Sequence, residues 1–337
     1  MKTIQLIDFG IDRLEITEQS HPQPSQTQVL VKIEAVSLNY VDLLVIEGLL
    51  NSDLPLPYIP ITDGAGTVER VGEGVTGFKV GDKVATTFIP DWLDGEPTTT
   101  KTDYQSRQGL GSISGQLSQY KCFETNQLIH IPSNLTTVEA STLPIAGLTA
   151  WNALKYANLQ PNDTVLLHGT GGVSIFALQF TKAQGAKVII TSSSEEKLSK
   201  AQQLGADLVV NYQTNLDWET TVHQMTEGKG VDVVVETVGG SNLGRSLDAL
   251  KMGGYISIVG LLDGFEAKID VLSLIHQQAT IRGLEVGGTH QFKEMNRAIE
   301  SLNIHPVIDR VFPLEQVKEA LTYLKRGMHF GKVVIAL

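Results

Sequence analysis

The sequence predicts an α/β protein, with a doubly wound parallel sheet set between a β-rich region and a mixed tail. Three observations carry this. Beyond Pro161, short apolar runs alternate with helix-spaced segments, the pattern of strands crossing over through helices. A glycine turn, Gly169-Thr-Gly-Gly-Val-Ser174, joins the first apolar run to the first helical segment. Residues 1–130 instead carry short β-branched runs punctuated by glycines, as small barrel-like domains do.

In the first region, Val29–Val36, Thr67–Val71 and Lys83–Thr86 are the strand candidates, with glycines at 64, 66, 72, 74, 77 and 81 between and around them. Residues 89–115 are polar and aperiodic, and read as a long surface loop. Val138–Tyr156 reads as helical, interrupted at Pro144 and Gly147. Then come the strands 165–167, 187–190, 208–210, 232–236, 255–259 and 279–285. Between the first two lies a helix whose apolar face runs from Val173 to Phe180 and which ends at Gly185-Ala186, and the later helices are 195–204, 216–225 and 243–250. The tail adds helices at 291–302 and 315–325 and a strand at 332–335.

The segment Asp163–Ser194 is a βαβ unit. Val165–Leu167 is a buried strand. Val173, Phe176, Ala177 and Phe180 fall on one helical face, and Lys187–Ile190 is the second strand. Backbone N–H groups at the start of that helix, with its dipole, suit the pyrophosphate of a dinucleotide. The fingerprint Gly-x-Gly-x-x-Gly/Ala has Ser174 at its third position, a residue small enough to keep helix and strand close. Where NAD-preferring units place an acid at the end of the second strand, this chain has Ser192, Ser193 and Ser194, with Lys197 one turn on. Hydroxyls and a lysine suit a 2′-phosphate, so the cofactor expected is NADPH. A local role competes: Ser192 or Ser193 with Glu195 or Glu196 makes a capping box.

A net charge of −11 and no basic stripe argue against nucleic acid or an anionic membrane as partner. The single Cys122, expected as a core thiol, leaves no disulfide framework and no cysteine zinc site. The N-terminal segment is broken by Asp8 too early for a signal-peptide core, and no apolar run is long enough to span a bilayer, so a cytoplasmic location is expected. His168 reads as a packed strand-end residue, and His276, His290 and His305 have no helix-spaced partner that would make a metal site.

Ser37-Leu-Asn-Tyr-Val-Asp42, Asp63–Gly72, Val80–Val84, Leu143–Trp151, Gly169–Ser174, Leu204–Asp207 with Asn211-Tyr212, and Gly331–Val334 occur in this order along the chain. Together they resemble the medium-chain dehydrogenase/reductase superfamily, most closely its zinc-free, quinone-oxidoreductase-like branch. The resemblance implies a GroES-like β-rich catalytic domain (1–130) and a Rossmann NADP(H)-binding domain (131–287). Residues 288–337 would return to the catalytic domain, and the nicotinamide would lie in a cleft. Zinc relatives carry Cys-Gly-Ser/Thr-Asp and Gly-His-Glu segments where this chain has Asn39–Asp42 and Ile61-Thr-Asp63. No metal is therefore expected.

The resemblance further implies reduction of a quinone or enone by hydride. Asn39 would lie near the nicotinamide and the substrate carbonyl and donate to the developing oxyanion. Tyr40 is a candidate proton donor or a structural tyrosine. Asp42 matches a family aspartate or is simply a helix N-terminal acid. Leu44 stands where some quinone reductases have a tyrosine. Thr149, Gly169, Thr170, Gly171, Gly172, Val173, Ser192, Ser193, Lys197 and Tyr212 match cofactor positions. Val238, Val259 and Leu261 line the cofactor path, and Lys332 reaches the carboxamide region through its backbone. A homodimer pairing through 279–285 is implied. Two alternatives stay open: an alcohol dehydrogenase of simple alcohols, and a non-catalytic NADPH-binding sensor or structural protein.

Overall fold

The apolar runs of the middle region pair as one parallel six-stranded sheet. Its order is Leu208–Asn211, Lys187–Ser192, Thr164–His168, Val231–Glu236, Leu250–Ile258 and Thr280–Gly283. The chain starts at a central strand, moves outward one way, then returns and builds the other half. This is the strand order of a Rossmann fold, and ligands of such sheets bind at the carboxyl ends where the order reverses. Burial on both faces explains the near-continuous Val/Ile/Leu runs. Leu166, Ile189, Val234 and Ile256 are fully buried, with Trp218 packed among the same residues.

The terminal regions build the second sheet, of seven strands. It runs Ile308–Pro313, Lys332–Ala336, Gln28–Ser37, Asp63–Val71, Lys83–Thr86 and Leu128–His130, and Tyr120–Glu124 also pairs with Gln28–Ser37. All pairs are antiparallel except the first. Val31, Ile33, Val36, Phe123, Phe312 and Val333 form its core. The strand from the last residues of the chain lies between Ile308–Pro313 and Gln28–Ser37 and pairs Val334 with Ser37.

The computed structural model describes all of residues 1–337. It contains two compact units, Met1–Leu148 with Val286–Leu337, and Thr149–Glu285. Residues 131–148, grouped by sequence with the Rossmann segment, therefore belong to the first unit. There Thr137 Oγ1 donates to Glu34 Oε2 (2.6 Å) and the Ile145 N–H donates to Asp63 Oδ2 (3.4 Å). The interruption at Pro144 is a wide π-type turn, Leu143–Gly147, running into the helix Leu148–Tyr156. The segment 89–115 is only in part a surface loop: Ile89, Trp92, Gln108 and Leu110 are buried, while residues 93–100 are exposed. Cys122 lies in the expected strand but is half-buried, not a core thiol. No helix is long and apolar enough to cross a membrane.

Gly66 faces Ile33 across the central ladder, and a Cβ there would lie 2.0 Å from the Lys32 carbonyl oxygen. Gly66→Ala is expected to cost about 3 kcal/mol or more, because backbone must move to admit the methyl group. Gly283→Ala, which meets nothing within 4 Å, should stay within about 0.5 kcal/mol. Urea unfolding followed by tryptophan fluorescence measures both.

Candidate active site

In the Rossmann unit the glycine turn follows the strand Thr164–His168 and opens the helix Gly172–Ala183. Gly169 has φ +68° and a Cβ on it would meet nothing within 4 Å. Packing thus leaves it open, and glycine is required by the left-handed backbone. Thr170 is buried, and Gly171, Gly172 and Val173 are half-buried. No side chain caps the start of the helix Gly172–Ala183, so its first N–H groups are available to an anion. Ser174 does more than stay small. Its Oγ donates to the His168 carbonyl (2.7 Å), which also accepts from Thr237 Oγ1 (2.8 Å). These two hydroxyls fasten the helix and the next loop to the strand end.

At the end of the second strand, the capping box expected at Ser192 or Ser193 does not form. Ser194 is the N-cap residue and accepts from the Lys197 N–H at 3.4 Å. One residue sets the difference: helical backbone begins at Glu195. Ser193 is exposed, and Ser192 is buried with its Oγ accepting only the Ser194 N–H, at 3.3 Å. The nearby acids are engaged elsewhere, Glu195 with Asn211 Nδ2 (2.5 Å) and Glu196 with Lys200 (2.6 Å). Tyr212 is exposed and its N–H donates to the Ser192 carbonyl (3.2 Å). Val238, Val259 and Leu261 are half-buried at the carboxyl ends of the neighbouring strands. Glu236 shapes that rim, accepting the N–H groups of Val238 (2.8 Å) and Gly239 (3.0 Å). Thr149 is buried near the start of the helix Leu148–Tyr156. His168 is a packed strand-end residue, held by Thr191 (3.2 Å) and Ser246 (2.9 Å), and burial pulls its pKa down. The open turn, the uncapped helix start and the serine-lined strand end fit a phosphorylated dinucleotide.

In the first unit, Asn39, Asp42 and Lys332 come together with Thr62 and Asp63. Exposure is 8% for Asn39, 1% for Asp42, 0% for Asp63 and 3% for Lys332. Lys332 Nζ donates to the Leu38 carbonyl (2.7 Å) and to Asn39 Oδ1 (2.6 Å). Asn39 Nδ2 donates to Asp63 Oδ2 (2.8 Å) and, at greater length, to Thr62 Oγ1 (3.3 Å). Asp42 spends both oxygens on backbone, accepting the N–H groups of Asn39 (2.7 Å) and Thr62 (2.9 Å). It starts the helix Tyr40–Ile46 and ties it to the segment before Asp63–Val71. Tyr40 is 44% exposed, outside the cluster.

Burial sets the electrostatics. It pushes the Asp63 carboxyl up to about 7, against the pull of the Lys332 charge and the Asn39 hydrogen bond. It raises Asp42 to about 6 and lowers the Lys332 pKa. One lysine cannot balance two ionised carboxylates in so dry a place, so the Asp63 carboxyl is shifted toward its protonated form. Asp63 Oδ1, buried without a hydrogen-bond partner, is where the proton can sit.

The sequence pointed to Lys332 through its backbone and the carboxamide region; the structure adds a buried side chain bound to Leu38 O and Asn39 Oδ1. Gly331 permits this: its φ is +79° and a Cβ would lie 2.4 Å from the Val307 carbonyl oxygen. Asp63 opens the matching segment Asp63–Gly72 and ends the one that has lost zinc ligands, but the sequence assigns it no role in the site. The donor set does not fit tetrahedral zinc. It offers no thiolate or imidazole, and an ammonium already binds Asn39 Oδ1. No group of three or more His, Cys, Asp or Glu side chains is arranged to hold a metal ion.

Residues 25–133 match the family described as alcohol dehydrogenase GroES-like domain, and residues 172–301 that described as zinc-binding dehydrogenase. A zinc-type alcohol dehydrogenase-like protein of Schizosaccharomyces pombe is 42% identical, over 97% of this chain and 96% of its own. The crystal structure of a Sinorhizobium meliloti protein assigned as an alcohol dehydrogenase superposes with a TM-score of 0.94 at 40% identity, covering 100% of this chain and 98% of that one. A quinone oxidoreductase of Lama guanicoe is 29% identical over 100% of this chain and 98% of its own. With both domain families in order and relatives matching end to end, the chain belongs to the medium-chain dehydrogenase/reductase superfamily, whose oxidoreductases bind a nicotinamide cofactor and act on small molecules.

Proposed function

We propose that this protein is a zinc-independent, NADPH-dependent reductase of quinones, enones or related activated carbonyls. The observation that carries the reading is the buried Lys332–Asn39–Asp63 cluster. It supplies a fixed cation, an oriented amide and an exchangeable proton without any soft metal ligand. When bound, NADPH supplies a hydride to an electron-poor carbon of the acceptor. The chain's task is to steady the oxygen that gains charge and to deliver a proton. Asn39 Nδ2 holds Asp63 firmly and Thr62 loosely, at 2.8 and 3.3 Å. The looser N–H is the one an acceptor oxygen would take over. Asp42 positions Asn39 through its backbone, and exposed Tyr40 is the proposed proton donor.

For the cofactor, we assign the turn Gly169–Val173 with Thr149 and the strand-end residues Val238, Val259 and Leu261 to the nicotinamide half and the pyrophosphate. Ser192, Ser193, Lys197 and Tyr212 are assigned to the adenosine 2′-phosphate. Glu195 is turned to Asn211 and Glu196 to Lys200, and the second pairing offsets one of the two negative charges near that phosphate. The names of the Schizosaccharomyces and Sinorhizobium relatives favour a second reading, oxidation of simple alcohols; stoichiometric zinc required for activity would establish it. We also propose a homodimer. The edge strand Thr280–Gly283 is preceded by the helix Val271–Gln277, on which Val271, Leu272 and Ile275 are exposed, with Phe265 nearby in sequence.

NADPH oxidation should be found with 1,4-benzoquinone or 2-cyclohexen-1-one and persist after dialysis against a chelator. Asn39→Ala should lower kcat by about 100-fold, and an unchanged rate removes Asn39 from the mechanism. NADPH should exceed NADH in kcat/KM at least tenfold, and Ser192→Asp should reverse the order by setting a carboxylate against the 2′-phosphate; equal use of both cofactors defeats the assignment. Ile275→Asp should turn a dimer into a monomer in sedimentation velocity; a wild-type monomer would show the exposed helix is not an interface.

A further inference from the structure

The orientation of the Asn39 amide follows from chemistry alone. An ammonium can only donate, so the Asn39 atom 2.6 Å from Lys332 Nζ must be the carbonyl oxygen. The atom 2.8 Å from Asp63 Oδ2 must then be the NH₂ group, which serves whether Asp63 is ionised or carries its proton on Oδ1. Asn39 is also the residue before the helix Tyr40–Ile46, where an asparagine side chain would ordinarily accept an N–H of the first turn. Here the Asp42 side chain accepts the Asn39 N–H (2.7 Å), as in a capping box, and the Asn39 side-chain carbonyl oxygen is held by Lys332.

Lys332 is itself held without freedom. Its N–H donates to the Val307 carbonyl (3.0 Å), the Leu38 N–H donates to the Val333 carbonyl (3.0 Å), and its Nζ is fixed on Leu38 O as well as on Asn39. A cation on the oxygen of an amide draws electron density from the nitrogen. The N–H groups become better donors, the cooperativity expected of hydrogen-bond chains at low dielectric. The charged groups facing the amide are Lys332, Asp63 and Asp42, and only Lys332 acts on its oxygen.

We propose that Lys332 is a positioning residue: bound to Asn39 Oδ1, it fixes the direction of the amide and strengthens its N–H donation to the oxygen that gains charge during reduction. This rests on the hydride-transfer reading above, so one of the two tests does not require turnover.

The first test is kinetic, with NADPH and 1,4-benzoquinone. Lys332→Met, close in length and uncharged, should lower kcat by about 100-fold while the NADPH dissociation constant, read by cofactor fluorescence, stays within twofold. Because Lys332 acts through Asn39, the double variant Asn39→Ala/Lys332→Met should be no slower than Asn39→Ala alone. An unchanged kcat in Lys332→Met, or a further loss in the double variant equal to its loss alone, overturns the proposal. The second test uses the wild-type protein labelled with ¹⁵N-asparagine, so it stands even if Lys332→Met fails to fold or no acceptor is reduced. The Asn39 side-chain amide signals, identified by their loss in Asn39→Ala, should lie downfield of the other asparagines and exchange slowly with water. Signals at the solvent-exposed position with fast exchange overturn the proposal, whereas slow, downfield signals without turnover on any acceptor overturn only the hydride-transfer reading.

Discussion

The contact between Lys332 and Asn39 joins residues 293 apart in sequence, and much of the first unit is arranged to make it. A buried ammonium must find acceptors or lose its charge. Here the acceptors are a main-chain carbonyl and an amide oxygen at the end of the strand Gln28–Ser37. They are reached only if the last strand of the chain lies against that one. Residues Val334, Ile335 and Ala336 pair with Ser37, Val36 and Ala35, and Gly331 turns the backbone so that Lys332 enters the sheet with its side chain inward. The return of the chain end to the first unit is thus a requirement of the site as well as of the core.

The Rossmann unit applies the same physics without a cation. The polar ends of its strands are buried, so each carbonyl and carboxylate there needs a partner. The His168 carbonyl takes hydroxyls from Ser174 and Thr237, while Glu236 takes two N–H groups on one oxygen and Asn242 and Ser246 on the other. These bonds set the loops that follow each strand. The glycine turn is therefore held rigid from behind, and its open side needs no packing partner. A rigid cradle that costs nothing to reorganise is what a site for a large anionic ligand requires.

What the sequence made legible follows from the range of the interactions. The existence of the strands rests on apolar periodicity and turn chemistry, which are local, so Thr164–His168 through Leu250–Ile258 could be read from residues a few positions apart. The helix Val271–Gln277 could not, because Val271, Leu272 and Ile275 face outward and give no core-facing stripe. The cap at Ser194 lay hidden in a run of three serines, since each residue type suits a cap equally and only the start of helical backbone decides among them. Asn39 and Asp42 were readable beside each other. Lys332 was readable as a cofactor-site residue and Asp63 as part of two matching segments, but their contacts with Asn39 were not, because those arise from strands that meet only in the folded chain.

The site's chemistry turns on what kind of cation it holds. A metal ion binds through exchangeable coordination and can take a substrate oxygen into its own shell; an ammonium on a strand cannot move, and Lys332 already has its acceptors. Any charge that develops on a substrate oxygen must therefore be met at second hand, by a donor the lysine has oriented. Asn39 is the one polar side chain in contact with both Lys332 and Asp63, and its amide can pass the influence of the cation outward while Asp63 can hold a proton in reserve. Such an arrangement stabilises a delocalised oxyanion, as in an enolate or hydroquinone, more readily than the concentrated charge of an alkoxide, which calls for direct contact with a metal ion. This is the physical ground on which we propose the reduction of conjugated acceptors in place of the oxidation of simple alcohols.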